Sequence, residues 1–200
     1  RRPPVAVYWL IGINVTLFLL QGSLDERALH LWVEGLGLVP ARLSGVLEQP
    51  GPAALAALPL LTSQFLHGGW LHLVGNLWML HLFGDNVEDR MGSKRFLAFY
   101  LCCGLVAGLV HVLSDPASAV PTIGASGAVA GVMGAYLLLF PRSRIIVLVP
   151  ILFYPLFFQV SALLFLGVWF AIQYFSGFSS SLLGGEAIGG VAYWAHVGGF

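Results

Sequence analysis

Charge is what this chain has least of. Nine Lys and Arg balance nine Asp and Glu over 200 residues, so charged side chains make up 9% of it, against roughly a quarter in soluble globular proteins. A net charge of zero leaves no field to draw in nucleic acid or acidic substrates. Cysteine is nearly missing as well. Cys102 and Cys103 are sequence neighbours, which excludes a relaxed disulfide between them, and no metal-ligand spacing surrounds them. There is no H-E-x-x-H and no Cys/His cluster, so neither metal nor cofactor is expected. An internal repeat is also lacking, which removes support for an inverted-repeat transporter. The first apolar run is followed by "LLQGSLDER" without a small-residue cleavage pattern. It reads as a retained span rather than a signal peptide.

What the chain does have is apolar length. With 58% hydrophobic residues and a mean hydropathy of +0.87, its side chains must face lipid as well as one another, the mark of a polytopic membrane protein. Apolar runs predict spans near 7–21, 69–84, 94–113, 122–140 and 157–175, and a sixth from 189 that has run only twelve residues at Phe200. Crossing about 30 Å of hydrocarbon takes roughly 20 helical residues, so the sixth helix is expected to be truncated there. Arg1, Arg2, Arg90, Lys94, Arg95, Arg142 and Arg144 fall on one side of this topology, and only Arg27 and Arg42 on the other. The positive-inside rule then places the N-terminus in the cytoplasm.

Three connections stand out. Residues 22–66, with Pro40, Pro50, Pro52 and Pro59, predict a partly structured element on the outer surface. Residues 145–156 are apolar but carry Pro150 and Pro155, which suits an interfacial strand or loop better than a helix. Residues 176–190 are rich in Gly and Ser and read as a mobile outer loop.

A polar side chain inside a span is a functional hypothesis, because lipid offers it no partner. His72 and Asn76 lie four apart on one helix face. Ser126 opens the fourth span and His196 the sixth. The topology puts all four in the outer half of the membrane. Together they supply a nucleophile, a base and donors: a serine hydroxyl needs a neighbouring base, and histidine titrates in the right range. His72, Asn76 and the Ser126 backbone N–H suit an oxyanion.

No acid completes a triad. Asp25, Glu26, Glu34, Glu48, Asp85, Glu88, Asp89, Asp115 and Glu186 all fall in predicted loops or at span ends. A hydrolase built on these residues would use a Ser–His dyad, with packing and water replacing the acid that orients the base. The competing reading is packing alone. Gly127-x-x-x-Gly131 is a GxxxG motif, and Ala195 and Gly199 repeat the small-xxx-small pattern around His196. The two readings are compatible, since small residues let the fourth and sixth helices approach. His67 and His81 are read as structural, and His30 and His111 are assigned no role.

With "HGGWLHLVGN" (67–76), "GDNVEDRMG" (84–92), "GASG" (124–127) and "AHVGG" (195–199) in this order, the chain resembles the rhomboid family of intramembrane serine proteases. The resemblance implies an all-α membrane protein, a six-transmembrane-helix rhomboid-like bundle forming one domain over residues 1–200. It implies Ser126 as nucleophile, His196 as general base and acid, and His72 and Asn76 in the oxyanion site. Glu88, Arg90 and Gly92 match a structural segment after helix 2, 176–190 the loop capping the site, and helix 5 a side gate for substrate. Implied partners are the lipid bilayer and single-span transmembrane substrates, and the implied activity is serine endopeptidase. The expected location is a bacterial inner (plasma) membrane with the site opening to the extracytoplasmic side. Two positions depart from better-known members: Ala130 stands where some stack an aromatic ring on the histidine, and Trp32 is followed by Val33 rather than Arg. The alternative is a non-catalytic rhomboid-like protein that binds and escorts membrane helices.

Overall fold

The computed structural model describes residues 3–48, 53–151, 154–182 and 191–200. Its long helices are α1 (Val5–Gly22), α5 (Trp70–Met91), α6 (Ser93–Ser114) and α8 (Ala162–Leu182), joined by the shorter α7 (Ser126–Leu139) and α9 (Tyr193–Gly199). Among the described residues α1, α6 and α8 are long and apolar enough to cross a membrane. Helix α5 matches α6 in length, but its last two turns carry Asp85, Glu88, Asp89 and Arg90.

Between α1 and α5 lie α2 (Glu26–Leu36), α3 (Pro40–Glu48), α4 (Ala53–Thr62) and a 3-10 turn, Ser63–Phe65. The Asp25 carboxylate accepts from Ala28 N–H at 2.8 Å and starts α2, whereas α3 starts on Pro40, whose missing N–H is harmless in a first turn. Arg42 of α3 donates to the Glu34 carboxylate of α2 and ties the two together.

A smaller core cluster gathers Leu38, Leu43 and Val112, and the main one surrounds α7. Every residue from Gly127 to Gly134 is buried, with Leu80, Phe83 and Val87 of α5, Phe96 and Tyr100 of α6, Val7 and Leu10 of α1, and Leu166 of α8 packed about it. So thorough a burial suits a helix of Gly, Ala and Val: their small side chains let neighbours approach from all sides.

Glu88 fastens α1 to the end of α5. Its two carboxylate oxygens accept from Ala6 and Val7 N–H, each at 2.9 Å, and one also accepts from Ser93 Oγ at 2.5 Å. The first N–H groups of α1 lack partners within the helix, and a buried anion there satisfies them and complements the helix dipole. Gly92, at φ +79°, then turns the chain from α5 into α6, and Arg90 lies over the Phe140 ring at 5.6 Å.

Four expected boundaries move. The second span continues through the Glu88 segment to Met91, so that segment is helix rather than loop. The fourth starts at Ser126 instead of Thr122, because Thr122 is paired with Leu38 and Gly124 N–H with Ser63 O. The fifth begins at Ala162: residues 157–161 belong to an antiparallel hairpin of β1 (Arg144–Ile151) and β2 (Tyr154–Ser161), a departure from an all-α fold. In the expected outer loop, 176–182 complete α8, and 183–190 lie outside the described residues.

Candidate active site

The approach to Ser126 is held from two sides. Leu38 and Thr122 exchange backbone hydrogen bonds of 2.9 and 2.8 Å, and Gly124 N–H donates to Ser63 O at 2.9 Å. The segment before α5 is held likewise: Gln21 of α1 accepts from His67 N–H at 3.1 Å and donates to His67 O at 3.3 Å. Both segments converge at Gly124, whose φ of +133° suits glycine alone. A methyl group placed there would lie 2.6 Å from His72 Nε2 and 3.6 Å from Ser126 Oγ. His72 and the Ser126 hydroxyl therefore border one point, kept open by the absence of a side chain.

His72 Nε2 is the ring atom nearest that point. Gly68 N–H approaches His72 Nδ1 at 3.5 Å, the long limit of a hydrogen bond, and the neutral tautomer this contact favours carries its proton on Nε2. Asn76, one turn further along α5 and buried, has its amide nitrogen 3.0 Å from His67 Nε2. Burial first, and then the neighbouring His72, push the His67 imidazole down to about 4. His67 is thus neutral near pH 7 and accepts from Asn76. Ser126 is the first residue of α7. Its N–H has no carbonyl four residues back inside the helix and sits at the positive end of the helix dipole.

His196 reaches the site through the pairing of α7 with α9. A side chain on Gly199 would strike the Gly127 carbonyl, one on Gly134 the Phe200 carbonyl, and one on Gly127 would come within 3.4 Å of Ala195 O. The two backbones touch at the residues next to Ser126 and His196. Among the described residues His196 Nδ1 pairs with Gln173 Oε1 of α8 at 2.7 Å, and no hydrogen bond runs from its ring to Ser126 Oγ. The Trp169 ring, also on α8, lies 5.9 Å from the His196 ring at a tilt of 32°. An aromatic neighbour is thus present despite Ala130, supplied by a different helix.

Gln173 and Trp169 are the site neighbours that reading the sequence missed. Gln173 interrupts an apolar run just as His72 does, and the same rule applied to uncharged amides finds it. Of the other histidines, His81 is exposed beside Tyr8 at 6.3 Å, and His111 Nε2 pairs with Thr122 Oγ1 at 2.8 Å.

A Rhomboid domain profile matches residues 56–200. The chain belongs to the rhomboid family. Rhomboid relatives include RHOMBOID-like protein 5 of Arabidopsis thaliana, 40% identical over 78 residues, which is 39% of this chain and 25% of that protein. Rhomboid-like protein 11, chloroplastic, of the same plant is 34% identical over 62% of this chain and 39% of its own length. The human presenilin-associated rhomboid-like protein, mitochondrial, is 31% identical over 50% of this chain and 26% of its own. The chain spans a quarter to two fifths of these relatives. Two of them are described as organellar, so the similarities lend the expected bacterial inner membrane no support. Family and composition together make this rhomboid a multi-pass membrane protein.

Proposed function

We propose that this rhomboid is an intramembrane serine endopeptidase that cuts single-span membrane proteins with a Ser126–His196 dyad. The observation that carries the reading is the backbone contact between α7 and α9 at Gly127, Ala195 and Gly199, beside Gly124, where His72 and Ser126 meet. His196 takes the Ser126 hydroxyl proton as the oxygen adds to a peptide carbonyl carbon. The resulting oxyanion faces the Ser126 N–H, His72 Nε2–H and Asn76, and losing one such donor typically costs about 2.7–4 kcal/mol of barrier. Return of the proton to the amine releases the first fragment and leaves an ester on Ser126. Water, deprotonated by His196, then adds to that ester and frees the carboxylate and Ser126.

In this reading the domain crosses the bilayer six times with its N-terminus in the cytoplasm, and the site opens to the opposite face. The positive-inside count supports that orientation. The test is cleavage of a reporter membrane helix in proteoliposomes. Wild type cuts it, and folded Ser126→Ala and His196→Ala do not. Equal cleavage by Ser126→Ala would sink the reading. A wild type that binds reporter helices yet neither cuts them nor reacts with serine-directed probes would establish the non-catalytic escort instead.

A further inference from the structure

Gln173 is an amide on an otherwise apolar stripe. The buried residues of α8 are Ala162, Leu166, Gln173 and Gly177, and its other side chains face outward or are half-buried. Leaving a buried polar group unpaired costs about 1–3 kcal/mol, so an amide here requires a partner. That partner is His196 Nδ1, 2.7 Å from Gln173 Oε1.

An amide oxygen has no hydrogen to give. The hydrogen of this bond therefore belongs to His196 Nδ1, and in a neutral imidazole that leaves the lone pair on Nε2. Nε2 with a lone pair is the form in which a histidine takes a proton from serine. Trp169, one turn before Gln173 on the same face of α8, lies against the ring at 5.9 Å and limits its rotation. In a Ser-His-Asp triad both constraints fall largely to the aspartate. Here the partner of His196 Nδ1 is an amide rather than a carboxylate.

We propose that Gln173 is a positioning residue that holds His196 in the Nδ1–H tautomer, with Trp169 bracing the ring. The proposal deepens the protease reading and rests on it for the role of His196. Gln173 acts only through His196, on a helix that carries no other group of the dyad or the oxyanion site.

The test uses the full chain in proteoliposomes. Gln173→Met keeps the side-chain length and loses the acceptor. Its kcat falls about a hundredfold, the scale on which misplacing a reacting group acts, while KM for the reporter helix stays within about twofold. Gln173→Glu restores an acceptor for Nδ1–H and recovers at least about tenfold over Gln173→Met. Nitrogen-15 NMR of histidine-labelled wild type, with His196→Gln to assign the signal, shows the His196 ring protonated on Nδ1 and bare at Nε2 near pH 7. A wild-type His196 protonated on Nε2 would overturn the proposal even if no variant folds, and so would an unchanged kcat in Gln173→Met. Either result beside a dead Ser126→Ala overturns the positioning role alone. A wild type without cleavage overturns the protease reading, and the tautomer measurement still decides what Gln173 does.

Discussion

Two of the helices packed against α9 hold it in opposite ways. Against α7 the contact is backbone to backbone: Gly127 and Gly199 admit no side chain between them, and one on Gly131 would come within 2.8 Å of the Gly199 carbonyl oxygen. Against α8 the contact is made by side chains, the Trp169 ring and the Gln173 amide on His196, and most of α8 faces away from the core. A backbone contact sets distance and has no rotamers to adjust. A side-chain contact sets ring orientation and tautomer and yields to substitution one group at a time. The nucleophile thus rests on the rigid joint, and the base depends on both.

Breaking the rigid joint has the largest effect. Gly199→Val drives a side chain into the Gly127 carbonyl, so reporter cleavage is abolished and unfolding in detergent is easier by about 3 kcal/mol or more, the upper range for overpacking. At the softer joint Gln173→Met lowers kcat about a hundredfold, and Trp169→Ala acts in the same direction while thermal unfolding of the bundle shifts only modestly. Glu88→Gln lies outside both joints. It removes the charge from the bonds that Ala6, Val7 and Ser93 make, which costs about 2 kcal/mol, measurable by denaturant titration, while activity per folded molecule is unchanged. The smallest effect is at Leu164, an exposed position of α8: Leu164→Ala shifts stability by less than about 0.5 kcal/mol and leaves kcat alone.

Much of this arrangement is legible in the sequence, because rare polar residues in apolar runs are conspicuous. His72, Asn76, Ser126 and His196 stand out in this way, and Gly124 opens the point where His72 and Ser126 meet. Gln173 interrupts the run of α8 in the same way, but unlike Asn76 it stands in none of the four motifs that mark the resemblance. Gln21 lies at the end of α1, where a polar residue is ordinary, although it holds the backbone of His67. The hairpin was half legible. Pro150 and Pro155, which face each other in the ladder, speak against a helix, but residues 157–161 carry neither Pro nor Gly to mark a boundary before α8. Hydrophobic runs do not separate a strand from a helix when length and turn signals are absent. The backward shift of the fourth helix was hidden because Thr122 is paired with Leu38, 84 positions away in the chain.

The most direct test is labelling with a serine-directed fluorophosphonate, read by mass spectrometry on wild type, Ser126→Ala and His196→Ala side by side. A dyad at the α7–α9 joint predicts modification of Ser126 in wild type alone, with both variants folded and unlabelled. Equal labelling of Ser126→Ala, or of Ser126 in the absence of His196, would contradict it.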